Sequence, residues 1–314
     1  MKKIIYAALI MILVGAIGGI IVFNTSDQFH PIKAHAQTKT ASVHGVKEIS
    51  VDTSSIDVQI VKTKSDKLSA EVNGWGNKQM LQNIEFTMKR EGNVLHLSAS
   101  KEERYFMVTF GWTKLVVKVP DKEYDRITVD AGSGDLSVEN LRAGHLSLTS
   151  GSGEISAKNN KSTGNFIVQT TSGDIDMQHN QARNEANVSA NGGELTLSDL
   201  TAKSSRLETT SGDIDVQRFS GSLIAQANSG EIEIKSNQLS GDIDAEATSG
   251  DIDIDFVQEP DSLSVDYRGG SGEGTVDLKG FLYKEKSESV IIGKKGEGKY
   301  KIKARTNSGD FTLK

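Results

Sequence analysis

Carboxylates are the residues of this chain with the types and spacing to do chemistry. Asp174 and Asp176, Glu194, Asp213 and Asp215, Glu231 and Glu233, and Asp251 and Asp253 recur at near-constant intervals, each beside an alternating apolar pair. Oxygen-rich columns of this kind suit a divalent cation or a docking face for a cationic ligand or protein. They also suit a plain solvated surface: two charges ~4.8 Å apart in water repel by only ~0.9 kcal/mol, less in salt. That small penalty favours the solvated face. Asp174, Asp176, Asp213, Asp215, Glu231, Glu233, Asp251 and Asp253 are the candidate docking face.

Other chemistries lack their residues. The chain has no cysteine, which removes disulfides, thiolate nucleophiles and thiolate metal sites. No serine sits in a Gly-x-Ser-x-Gly elbow, and His145 and His179 lack a His-Glu-x-x-His spacing. Gly293-Lys294-Lys295-Gly296-Glu297-Gly298 does not lead into the Ser or Thr of a phosphate loop. The acids belong to a recurring phrase instead of concentrating in one exceptional place. No cofactor, metal or catalytic residue is expected, and the chain does not read as an enzyme. Its net charge of -6 and the absence of a basic domain argue against a nucleic-acid partner.

The phrase that positions the acids is Ser133-Gly134-Asp135-Leu136-Ser137-Val138 and its copies at Gly153, Gly173, Gly193, Gly212, Gly230, Gly250, Gly272 and Gly309. The first eight glycines are 19, 20, 20, 19, 18, 20 and 22 residues apart. A unit of that length cannot bury its own apolar face, so neighbouring units must bury it. A second, weaker strand follows each phrase, as in Leu146-Ser147-Leu148 and Phe166-Ile167-Val168. Two strands per turn predict an all-β, right-handed parallel β-solenoid with two-strand coils of about 20 residues. Ile214 with Val216 and Ile232 with Ile234 point inward, and the acids between them point outward. The recurring glycine predicts either a left-handed turn or close backbone packing.

Outside the regular coils (131–278), four stretches stand apart. Residues 1–3 and the apolar run 4–23 read as a cytoplasmic N-terminus and one transmembrane helix, because 20 uncharged residues follow Lys2 and Lys3. Ala34-His35-Ala36 has the small-x-small form of a cleavage site, so secretion after cleavage near Ala36 is the alternative. Residues 24–44 read as a polar spacer. Residues 45–130 alternate at period two and read as irregular coils with an N-terminal cap, in which Ser54-Ser55-Ile56-Asp57-Val58 is a degenerate copy of the phrase. Tyr105, Phe106, Phe110 and Trp112 in that cap are candidates for contact with a partner or the bilayer interface. Residues 279–314 read as a basic insertion and a last coil. Lys279 to Arg305 holds nine bases and three acids, whereas Glu231 to Asp255 holds eight acids and one base. On the sequence alone the two ends of the stack carry opposite charge.

Ser172-Gly173-Asp174, Ser211-Gly212-Asp213, Ser249-Gly250-Asp251 and Ser308-Gly309-Asp310, behind a membrane segment and a spacer, resemble the bacterial putative-adhesin β-helix family of unassigned function. The match runs from about Val43 to Lys314 and is similar in particular to the LiaG-like envelope proteins of Firmicutes. The resemblance implies a membrane-tethered, surface-exposed solenoid without assigned catalytic residues, associated with envelope stress. Together these readings predict a single-pass, extracytoplasmic, non-catalytic binding or accessory module. Its partners would be the membrane, through the N-terminal helix, and an envelope protein or cell-wall polymer. A self-assembling structural solenoid and a polysaccharide-active β-helix enzyme are the alternatives.

Overall fold

The computed structural model describes residues 11–12, 15, 31–33, 37–77, 83–101 and 111–314. The expected span 4–23 lies almost wholly outside these residues, and among them no helix is long and apolar enough to cross a membrane. Tyr105, Phe106 and Phe110 also lie outside them.

The alternation dictates the body. Leu136, Ile155, Ile175, Leu195, Ile214, Ile232 and Ile252 are register partners on successive parallel strands. All of them are buried. On the opposite side of each coil Ile127, Leu146, Phe166, Ala186, Ser205, Leu223 and Ile243 form a second inward column. Two parallel walls therefore face each other across one apolar core, and among the described residues 28 strands belong to one hydrogen-bonded sheet. Burying each large aliphatic side chain contributes about 1.5–3 kcal/mol, so the core is the main source of stability.

Close packing, not a left-handed turn, explains most of the recurring glycines. A Cβ on Gly153, Gly173, Gly193, Gly212 or Gly230 would overlap the carbonyl oxygen of the preceding glycine in the series. The left-handed residues lie at the other corner: Asn140, Asn159, His179, Asp199 and Arg218 have φ of 62, 55, 57, 54 and 56°. Next to them Asn160 and Asn180 are fully buried and linked. Asn180 accepts the backbone N–H of Asn160 at 2.9 Å, and Asn160 accepts that of Leu141 at 3.0 Å. Their amides donate to Ala157 and Val138 carbonyls at 2.7 and 2.9 Å. The hydroxyls of Ser150, Thr170 and Thr209 brace the glycine corner by donating to the carbonyls of Gly134, Gly153 and Gly193.

Chain order and spatial order agree only in the middle of the stack. The last strands, Tyr300–Ser308 and Phe311–Leu313, lie between the coil of Ile243–Ser249 and Ile252–Phe256 and the coil of Leu263–Ser271 and Gly274–Val276. The glycine series follows suit, with Gly309 against Gly250 and Gly272 against Gly309. At the other end, Glu48–Thr53 and Asp57–Thr63 lie between Val94–Lys101 with Gly111–Pro120 and Tyr124–Ala131 with Leu136–Glu139. At both ends, chain nearer a terminus thus lies between an outer coil and the rest of the stack. That place gives the inserted strands hydrogen-bonding partners on both edges, which a free end strand lacks.

Antiparallel strands close the stack. Leu282–Lys286 and Val290–Lys295 form the expected basic hairpin, which pairs with Leu263–Ser271. At the start of the body Ile84–Glu91 covers Val94–Lys101, while Lys67–Asn77 covers Gly111–Pro120. The spacer is shorter than the sequence suggests. Gln37–Ser42 is a strand paired along Lys67–Asn77, and Pro31–Lys33 pairs with Asn77, Gly76 and Trp75.

Candidate binding surfaces

The phrase places its acids in two columns, and their geometry separates them. In the exposed first column, Asp carboxylates hold the next coil by its backbone. Asp135 accepts the N–H of Glu154 at 3.0 Å, Asp174 that of Glu194 at 3.0 Å, and Asp213 that of Glu231 at 2.8 Å. Asp251 accepts from Asp310 at 2.7 Å and Asp310 from Glu273 at 2.8 Å. Asp57 of the degenerate copy does the same for Asp135 at 3.1 Å. Asp174, Asp213 and Asp251 therefore have a structural task independent of any ligand.

The half-buried second column consists of Asp176, Asp215, Glu233 and Asp253, with Thr196 between the first two. Asp176 accepts from Gln178 and lies 3.7 Å from Lys158, Asp215 accepts from Gln217 at 3.1 Å, and Glu233 pairs with Lys235. Asp213, Asp215, Glu231, Glu233, Asp251 and Asp253 come together on three successive coils. Burial, and then the charges of Asp253, Asp251, Glu233 and Asp213, push the Glu231 carboxyl above its ordinary range. Asp174 and Asp176 are separated from that group by the coil carrying Glu194. Among the described residues no group of three or more His, Asp or Glu has the arrangement to hold a metal ion.

The opposite charges of the two runs belong together. The inserted strand Tyr300–Ser308 brings its bases against the acidic coil: Lys303 bonds Asp244 at 3.0 Å, and Asp242 accepts the backbone N–H of Lys301 at 2.9 Å. On its other edge Arg305 lies 3.3 Å from the Asp266 carboxylate and donates to the Asp266 carbonyl at 2.6 Å. Burial raises the Asp266 pKa, but hydrogen bonds and charges of Arg305 and Arg268 outweigh it and hold the carboxyl below its ordinary range. Lys295 of the hairpin bonds Glu259 at 2.7 Å. The expected contrast between ends is largely a clasp within one end.

The second wall carries a site that the phrase does not announce. A groove of about 450 Å³ crosses four coils, lined by Ser189, Glu208, Gln226 and Glu246 along one column and Asn191, Thr210, Asn228 and Thr248 along another. Gln226 links to Glu246 at 3.4 Å, and Arg206 lies 3.2 Å from Glu208. The lining is carboxylate, amide and hydroxyl, which suits a hydroxyl-rich ligand better than an apolar one. The signal in the sequence was the outward position of the second strand, read at the same interval as the acids.

Of the aromatic candidates, Trp112 is described. It is 53% exposed and is the register partner of Trp75, which is 39% exposed.

The fold and these surfaces define a class: an all-β repeat protein of stacked two-wall coils. The chain belongs to the Toastrack DUF4097 family, whose model matches residues 46–314. Among solved structures it is similar to a putative lipid binding protein from Parabacteroides distasonis, at 14% identity and TM-score 0.47, over 89% of this chain and 97% of the other. A putative adhesin from the same organism has 16% identity and TM-score 0.45 over 89% and 98%. A putative adhesin from Bacteroides fragilis has 16% identity and TM-score 0.40 over 89% and 97%. No curated protein matches the chain.

Proposed function

We propose that the protein is a membrane-anchored, extracytoplasmic binding module of the bacterial cell envelope. Residues 4–23 tether a right-handed solenoid, and the solenoid presents its walls to a cell-wall polymer without catalysing a reaction. The observation that carries this reading is the polar groove across Glu208, Gln226 and Glu246. A groove that repeats similar donors and acceptors from coil to coil matches a polymer that repeats its own hydroxyl and amide groups. The resemblance to LiaG-like proteins supports a place in the envelope stress response.

The test is sedimentation of the full chain, held in lipid nanodiscs, with purified cell-wall glycan. Co-sedimentation that is lost in a Glu208→Ala, Gln226→Ala and Glu246→Ala variant, and kept when Asp215, Glu231, Glu233 and Asp253, which do not tie one coil's backbone to the next, are neutralised, is expected. Loss with the second variant alone would move the docking face to the acidic columns. No retention of the wild-type chain would overturn the polymer reading.

A further inference from the structure

The chain has two tryptophans, and the fold places them together, against the strand Pro31–Lys33. Lys67–Asn77 and Gly111–Pro120 run side by side as an antiparallel ribbon, in which Trp75 is directly opposite Trp112. Direct partners in such a pair project from the same face. That face is the outward one, because Leu68, Ala70 and Val72 and their neighbours Leu115 and Val117 fill the core on the other. The same outward face carries Lys114 next to the pair and, farther along the ribbon, Glu71 and Lys118. Close backbone approach draws the ribbon together here, since a Cβ on Gly111 would overlap the carbonyl of Trp75.

The membrane side follows from chain length. Pro31–Lys33 pairs with Asn77, Gly76 and Trp75, so the first described strand lies against the tryptophan end of the ribbon. Eight residue steps separate Phe23, the last residue of the apolar run, from Pro31. Fully extended, they reach at most about 29 Å. If residues 4–23 span the bilayer, the tryptophan end is held near its surface. Indoles prefer the headgroup boundary, where the ring is apolar on its faces and its N–H stays wet, and lysines beside them favour anionic lipid.

We infer that Trp75 and Trp112 form an interfacial foot that seats the solenoid on the outer leaflet, with Lys114 toward anionic headgroups. The foot rests on the anchored reading above and adds a second contact to it, one that sets how the stack stands on the membrane. The occupant of this face is the lipid surface itself.

Intrinsic fluorescence reads the site directly, because both tryptophans belong to it. The full chain is reconstituted into vesicles of phosphatidylglycerol and phosphatidylcholine, recovered by flotation, and excited where tyrosine does not absorb. The expected result is a blue-shifted emission that loses most of its intensity when the lipids carry a quencher near the headgroup, with a smaller loss for a quencher deep in the chains. Trp75→Phe and Trp112→Phe, each keeping an aromatic ring, assign the loss to each indole. If the chain floats but aqueous iodide quenches both indoles and labelled lipid neither, the foot is wrong and the anchor stands. Emission that is blue-shifted yet resists both quenchers would mean that protein, this chain or a second copy of it, covers the indoles, and would also overturn the foot. A chain that does not float removes the anchor, and the foot with it.

Discussion

The regular coils and the C-terminal inserted coil use one strand geometry but differ in how far charge holds them. Between Leu136 and Phe256 each coil is laid on its predecessor by apolar columns, glycine against glycine carbonyl, and backbone ladders, to which Asp carboxylates on backbone N–H groups and surface ion pairs such as Arg218–Asp199 are added. At the C-terminal end Tyr300–Ser308 lies between two coils that are not neighbours in the chain, and charge lines both of its edges. Growth by addition relies on contacts that any neighbouring coil can repeat. Insertion needs contacts that distinguish one slot from every other, and paired charges supply such register specificity better than interchangeable Ile and Ala columns do.

The largest break in this comparison should come from the regular coils. Ile232→Asn removes a fully buried side chain and leaves an amide without partners in the core, at an expected cost of about 3–5 kcal/mol. Gly193→Ala forces a Cβ into the Gly173 carbonyl, where only backbone can yield, and should cost about 3 kcal/mol or more. Both losses should be nearly the same in low and high salt when read by urea unfolding. A strong salt dependence in either would mean that charge holds the middle of the stack too.

Next in size is Arg305→Met, which removes charge-assisted bonds to both the carboxylate and the carbonyl of Asp266 and should cost about 2 kcal/mol. Here the loss should shrink as salt rises, because the groups are part-exposed and screening already weakens the wild-type pair. Protease nicking confined to the hairpin and the last coil, with the regular coils intact, is the expected signature. Nicking spread over the whole chain would show that the inserted coil is not a separate unit of stability.

These differences also mark what could be read from the sequence. The regular coils were legible because their period is written in residues whose reasons are local: the alternating pair faces the core, and glycine is needed wherever two backbones meet. Asp57 showed through even without its glycine. The interleaving at both ends was not legible, because a phrase at Gly309 fits equally well after Gly272 or before it. The choice is made by long-range partners such as Asp244 and Asp266. The same blindness turned complementary charges into an apparent polarity of the stack. The buried ladder of Asn160 and Asn180 has no counterpart in the sequence reading, since nothing in their neighbours announces it. For the candidate site, spacing located the acidic columns but could not separate carboxylates tied to backbone from those left free. The groove on the second wall was hidden because its column changes residue type from coil to coil, from Ser189 to Glu208, Gln226 and Glu246.

The smallest expected effect concerns acid, and the two regions should answer it with opposite signs. Asp266 has a folded pKa below its ordinary 3.8, so its contribution is fully present above that value and is lost as pH falls through the folded one. Glu231 has a folded pKa above its ordinary 4.5, so its charge opposes folding at neutral pH. Lowering the pH through that raised value relieves the repulsion with Asp253, Asp251, Glu233 and Asp213 before the Asp266 clasp begins to fail. Hydrogen exchange followed from pH 7 toward pH 3, corrected for the intrinsic rate at each pH, should therefore show Ile232–Ser236 held or slightly better protected at first while Leu263–Ser271 is unchanged. Protection should then fall in Leu263–Ser271 and Tyr300–Ser308 ahead of the regular coils. Glu231→Gln should abolish the first phase and leave the second, whereas Arg305→Met should leave the first and weaken the second. If one substitution altered both phases, the stack would be titrating as a single charged body, and the division between coils that are added and a coil that is inserted would not hold.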